Sequence, residues 1–198
     1  MIRKTFFTAV AAACALFCGI NASAQEVTPD GTYMFVKRDT CDLFLDLYKP
    51  TKGSETTFEG KQKPTIIFMF GGGFTSGVRD NPRYQIWFKQ MNDLGYSVIS
   101  IDYRLGLKGT SKVGVAQVNV LDKAIHMAVE DLFSATKFII ENEEQLGVDA
   151  DNLVISGSSA GAISVMQAEY ELANRTSWAS VLPEDFRYAG VMSFAGAI

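Results

Sequence analysis

Val154-Ile155-Ser156-Gly157-Ser158-Ser159-Ala160-Gly161 is the stretch whose reading decides the fold. An apolar run meets a G-x-S-x-G pentapeptide, and the small, helix-compatible residues Ala162, Ile163, Ser164, Val165 and Met166 follow. Strand, tight turn and helix in that order are what a nucleophile elbow needs: the serine sits on a sharp, strained turn and its hydroxyl stands exposed at the end of a sheet. Gly157 and Gly161 flank it because a side chain at either position would collide with the neighbouring strand or helix. The pentapeptide alone is a weak signal, and its context is what gives it weight.

Outward from this turn, short apolar runs alternate with helical patterns. Tyr33–Lys37 and Asp42–Tyr48 read as early strands, antiparallel neighbours, with Asp42 and Asp46 on the solvent face. Pro64–Phe70 and Ser97–Asp102 are continuous apolar runs, as expected of strands buried on both faces. Tyr84–Leu94 has helical spacing at Ile86, Phe88 and Met91, ended by Gly95. Leu121, Ile125, Ala128, Leu132, Ala135 and Ile139 define an amphipathic helix over Val118–Asn142. Asn152–Ile155 is a strand, Ala160–Ala173 a helix and Tyr188–Ser193 the next, buried strand. The pattern predicts an α/β fold, a mostly parallel sheet with helices on both faces, in which chemistry collects at the carboxyl ends of the strands.

Directly after the first buried strand comes Phe70-Gly71-Gly72-Gly73-Phe74-Thr75-Ser76-Gly77. A run of glycines lets the main chain approach a substrate with its amides turned inward, where N–H groups can stabilise a developing oxyanion. A nucleotide-binding loop is the rival. Its spacing is wrong by one, because Gly71, Gly73 and Gly77 do not fit G-x-G-x-x-G, and Asp80-Asn81-Pro82 delays the helix. A purely structural glycine turn is the other alternative.

These pieces resemble the α/β-hydrolases, and among them the carboxylesterase and hormone-sensitive-lipase-like group. The resemblance rests on Leu45-Asp46-Leu47-Tyr48-Lys49-Pro50, Gly71-Gly72-Gly73-Phe74, Asp102-Tyr103-Arg104-Leu105, Asp149-Ala150-Asp151-Asn152 and Gly157-Ser158-Ser159-Ala160-Gly161, in the family's order. It covers nearly all of residues 30–198. It implies Ser159 as the nucleophile, the N–H groups of Gly72, Gly73 and Ala160 as the oxyanion hole, and Phe74 at the border of the acyl or alcohol pocket. Many lipase-like members carry His before the glycines, where this chain has Phe70. The resemblance also places an acid and then a histidine after Ser159. The chain's only histidine, His126, comes before it. His126 shares a helix face with Glu130 and is expected to be a solvated or cap-side histidine. Val191–Ile198 reads as a strand and the loop leaving it, so the expectation is an N-terminal portion whose C-terminal strands, acid and base are missing.

The remaining polar residues suggest scaffolding. Asp102 and Arg104 are expected to pair and hold loops together, and Asp149 and Asp151 to serve as turn and capping residues. No metal-ligand spacing occurs, and no cofactor is implied. At the amino end, Met1-Ile2-Arg3-Lys4, an apolar run from Phe6 to Ile20 and Ala22-Ser23-Ala24 describe a secretory signal peptide over residues 1–24, cut after Ala24. The apolar run is shorter than the ~20 residues that span a bilayer, so stable membrane insertion is not expected. A lipoprotein reading through Cys14 or Cys18 is weak. Removing the signal takes Lys plus Arg from 18 to 16 against 22 Asp plus Glu, a net charge of −6. Such an acidic chain without a basic stripe is a poor candidate for nucleic acid. Cys41 alone then remains of the cysteines, so residues 25–198 form one α/β-hydrolase domain resting on its packed core. The expected protein is a secreted or periplasmic serine esterase acting on a small-molecule or carbohydrate-linked ester. A serine peptidase of the same fold, and a non-catalytic binding protein or inactive fragment, stay open as alternatives.

Overall fold

The computed structural model describes residues 27–110 and 118–196. The expected signal peptide with Cys14 and Cys18, and the last two residues, lie outside them. Strands β1 (Gly31–Lys37) and β2 (Asp42–Tyr48) form a hairpin, and β3 (Thr57–Phe58) and β4 (Lys61–Gln62) a small separate ribbon. After the ribbon come β5 (Thr65–Met69), α1 (Pro82–Asp93), β6 (Ser97–Ile101), α2 (Val118–Glu141), the short α3 (Glu143–Leu146), β7 (Leu153–Ser158), α4 (Ala160–Ala173), a 3₁₀ turn (Ser177–Val181) and β8 (Gly190–Phe194).

The main sheet runs β1-β2-β6-β5-β7-β8. β6, β5, β7 and β8 are parallel, and the β1–β2 hairpin joins antiparallel to β6 at one edge. This is the expected mixed, mostly parallel sheet. Every residue of β5 is buried, as its unbroken apolar run requires. Phe68 of β5 meets Tyr84, Trp87 and Phe88 of α1, with ring centroids 4.8, 5.5 and 5.2 Å apart. Alternation along the strand turns Ile67 and Met69 to the other face, where α2 and α4 pack against each other.

The helix boundaries follow their local chemistry. Asn81 caps α1 by accepting from the Arg83 N–H at 3.0 Å, and Pro82 takes the first helical position, where its missing N–H costs nothing. The buried stripe of α1 is Gln85, Phe88 and Asn92. Ile86, expected inside, is exposed. Asn92 can be buried because its amide donates to the carbonyls of Tyr48 and Tyr96, each at 3.0 Å. In α2, Ala128, Leu132, Ala135 and Ile139 are buried as the spacing predicts.

Three further expectations change. Asp46 is buried, not on a solvent face. β2 lies inside the sheet, and the loop after the glycines folds over that face, so Asp46 accepts from the Thr32 hydroxyl at 2.6 Å and pairs with Arg79 at 2.9 Å. Asp102 and Arg104 do not pair with each other. Asp102 takes Arg79 at 2.8 Å, while Arg104 turns to Asp131 and Glu130 of α2. β8 is half-exposed where a buried strand was expected, because it forms an edge of the sheet.

Asp131 is the hub of a second polar cluster. Its carboxylate is fully buried and accepts from Arg104 Nε and N–H and from Arg38 Nε, at 2.8–3.1 Å. It thereby ties α2 to the β1–β2 hairpin and to the segment after β6. Removing one partner of such a buried cluster leaves uncompensated charge. Asp131→Ala is therefore expected to lose about 3–5 kcal/mol, measured as a lower urea midpoint with an unchanged slope.

Candidate active site

The sheet register places the site. Met69 pairs with Ile101 on one side and Gly157 on the other. The segments leaving β5, β6 and β7 therefore emerge together at the carboxyl edge, where parallel sheets place their chemistry. Ser159 stands there, exposed, at φ 51° and ψ −112°. A non-glycine residue in such a conformation costs about 1–3 kcal/mol and persists only when its surroundings over-determine it. Here the Ser159 N–H donates to the Phe194 carbonyl at 2.8 Å, and its carbonyl accepts from the Ile163 N–H at 3.0 Å.

The flanking glycines are enforced by backbone contacts. A Cβ on Gly157 would lie 2.3 Å from the carbonyl of Gly161, and a Cβ on Gly161 would lie 2.2 Å from the Met69 oxygen. The clash expected from the sequence is thus strand against helix at one position and helix against strand at the other.

The glycine loop passes directly beside the serine. A Cβ on Gly71 would lie 3.1 Å from Ser159 Cβ. Gly72 (φ 143°) and Gly73 (φ 61°) both take positive φ, which glycine alone adopts without strain. The Gly72 carbonyl is drawn into the turn by the N–H groups of Thr75 and Ser76 (3.1 and 3.2 Å) and by the Thr75 hydroxyl (2.9 Å). The N–H groups of Gly72, Gly73 and Ala160 have no acceptor among the described residues. Ala160 opens α4, where the first amides have no partner within the helix. Phe74, which follows the loop, is buried with its ring edge-on to Tyr103, 6.3 Å between centroids.

The supports of this edge carry little sequence signal. Arg79, eight residues beyond Gly71, reaches back between Asp46 and Asp102. Burial pushes the Asp102 carboxyl upward, against the pull of the Arg79 guanidinium and the Phe44 N–H. Tyr103 donates its hydroxyl to the Phe70 carbonyl at 2.8 Å, and Tyr84 accepts the Gly71 N–H at 3.0 Å. Burial pushes the Tyr103 phenol well above its ordinary range, so it remains a donor. Tyr84 reads in the sequence only as an early residue of a helix.

His126 lies elsewhere and is only partly exposed. Its Nε2 is 3.2 Å from Glu171 Oε1 near the end of α4, and its ring lies 4.9 Å from that of Trp178. Glu171 is separated from Ser159 by nearly the whole of α4, about 17 Å at ~1.5 Å per residue. His126 therefore cannot take the Ser159 proton. Asp149 does form the expected turn, accepting from the Asp151 N–H at 3.1 Å. Among the described residues no cluster of His, Cys, Asp and Glu is placed to hold a metal ion.

Residues 45–177 match the family model described as BD-FAE. The chain is 28% identical over 140 residues to Gut esterase 1 of Caenorhabditis elegans, covering 71% of this chain and 23% of that protein. It is 33% identical over 125 residues to Esterase E4 of Myzus persicae, covering 62% of this chain and 21% of the aphid protein. The solved structure of Thermogutta terrifontis esterase 2 phosphoramylated by tabun matches with a TM-score of 0.52 at 25% identity, over 72% of this chain and 47% of that one. The chain thus spans less than a quarter of the length of these curated relatives and less than half of the solved structure.

The backbone geometry gives an energetic expectation. Gly161→Ala forces a methyl group against the Met69 carbonyl and should cost about 1–3 kcal/mol or more. Ser159→Gly removes the conformational strain and should be more stable than Ser159→Ala, which keeps it. Urea unfolding of the three variants checks both statements.

Proposed function

The chain belongs to the BD-FAE family, an α/β-hydrolase-type esterase family, and on that premise we propose that it carries the nucleophile and oxyanion-stabilising half of a serine esterase. The observation that supports this best is the strained, exposed Ser159 lying against a glycine loop whose Gly72 and Gly73 N–H groups have no acceptor among the described residues. The Thermogutta relative, phosphoramylated by tabun, fits a family with an activated nucleophile.

In this proposal Ser159 Oγ attacks the carbonyl carbon of a carboxylic ester. The carbonyl π electrons move onto oxygen, and the N–H groups of Gly72, Gly73 and Ala160 stabilise that charge as it forms. Collapse of the tetrahedral intermediate expels the alcohol oxygen, which takes a proton, and leaves an acyl group on Ser159. Water then hydrolyses this acyl-enzyme. A serine hydroxyl needs a base to accept its proton. His126 is too distant for that role, so the base is proposed to come from outside the described residues. The substrate is proposed to be a small-molecule or carbohydrate-linked ester, met outside the cytoplasm after export. An amide in place of the ester would make the protein a peptidase, and substrate profiling separates the two.

The placement of His126 favours a second reading, a hydrolase-like protein that binds esters without turning them over. In a form of the protein that carries the proposed base, Ser159→Ala should lower p-nitrophenyl acetate turnover by at least about a thousandfold, and a fluorophosphonate probe should label the parent but not the variant. Equal turnover by parent and variant would overturn the esterase proposal. Absence of labelling in the parent would favour the binding protein.

A further inference from the structure

The peptide unit joining Phe70 to Gly71 is held at both ends by side chains. Tyr103 donates its O–H to the Phe70 carbonyl, and the Gly71 N–H donates to the Tyr84 oxygen. The carbonyl and the N–H belong to one planar amide, so together the two hydroxyls set the rotation of that plane. Ladder pairing of β5 ends at Met69. This is therefore the first peptide beyond the sheet, with no strand neighbour to orient it.

The tyrosines reach it from different elements. Tyr103 lies just beyond β6, is buried, and stacks on the Phe70 ring at 4.4 Å between centroids. Tyr84 stands in the first turn of α1, its ring against Phe68. The held peptide leads into Gly71-Gly72-Gly73, the most permissive backbone the chain could place there. A flexible run aims its amides reproducibly only if its first plane is fixed.

We propose that Tyr84 and Tyr103 are positioning residues that lock the Phe70–Gly71 peptide and thereby aim the Gly72 and Gly73 N–H groups at the substrate oxyanion. The oxyanion role rests on the esterase proposal for Ser159, whereas the lock itself does not. The geometry also accounts for Phe70 at this position, since its ring carries the stack that brings the Tyr103 hydroxyl to the Phe70 carbonyl.

Tyr84→Phe and Tyr103→Phe keep the rings and remove the hydroxyls. In the full chain, amide ¹H–¹⁵N resonances and hydrogen exchange at Gly71, Gly72 and Gly73 read the loop directly, with or without turnover. Gly71 exchange is expected to speed up roughly tenfold in Tyr84→Phe, the loss of about one hydrogen bond. Tyr103→Phe, which leaves the Gly71 N–H acceptor in place, is expected to shift the same three resonances. In a form of the protein that carries the proposed base, Tyr84→Phe should lower kcat for p-nitrophenyl acetate roughly 3- to 10-fold and leave KM close to the parent value. Unchanged resonances and exchange at Gly71–Gly73 in Tyr84→Phe would overturn the lock, as would changes spread evenly over α1. Tyr84 is half-buried, so its Phe variant tests the lock even if the buried Tyr103→Phe fails to fold. Parent-like turnover by Ser159→Ala would remove the oxyanion role, and the amide spectra would still decide the lock.

Discussion

The site depends on how closely three backbones approach one another. Gly157 on β7, Gly161 on α4 and the Met69 carbonyl at the end of β5 leave no room for a single methyl group between them. That contact turns the chain from strand to helix within one residue, and the residue at the turn is Ser159, held at positive φ. Strain of this size is sustained only because a fully buried strand on one side and a helix on the other cannot move apart without opening the core.

Around this contact, the carboxyl edge is assembled by long-range polar ties. Arg79 folds the loop after the glycines back onto Asp46 and Asp102, while Asp131 draws Arg38 and Arg104 onto α2. At the same edge the rings of Phe70 and Phe74 both pack on Tyr103. Charged groups are rarely buried unless paired, and here the carboxylates of Asp46 and Asp131 are each matched by a guanidinium. The result is a rigid rim for a loop that, as three consecutive glycines, has no rigidity of its own.

The sequence readings that failed have a common cause. Asp46 alternates with apolar residues in the manner of a solvent-facing strand residue, yet Arg79 closes over it from 33 positions away. Asp102 and Arg104 are near neighbours in sequence but pair with more distant partners, because they leave the edge of the sheet in different directions. Ile86 misses the buried stripe of α1 by one position, which on a helix amounts to roughly 100°. His126 reads as free on its helix face until α4 and the 3₁₀ turn bring Glu171 and Trp178 against it. Local periodicity registers which side chains are apolar, but not which segment arrives to cover a polar one.

The order of strands and helices, the mostly parallel sheet and the place of Ser159 between two obligatory glycines were determined by the sequence alone, because each comes from local patterning or from the absence of a side chain. The tertiary structure alone decided that Gly71 lies against Ser159 and that His126 is out of reach. It also decided that Tyr84 and Tyr103 share a single peptide plane. Those relations depend on sheet register and crossover packing between residues far apart in the chain, which carry no short-range signal.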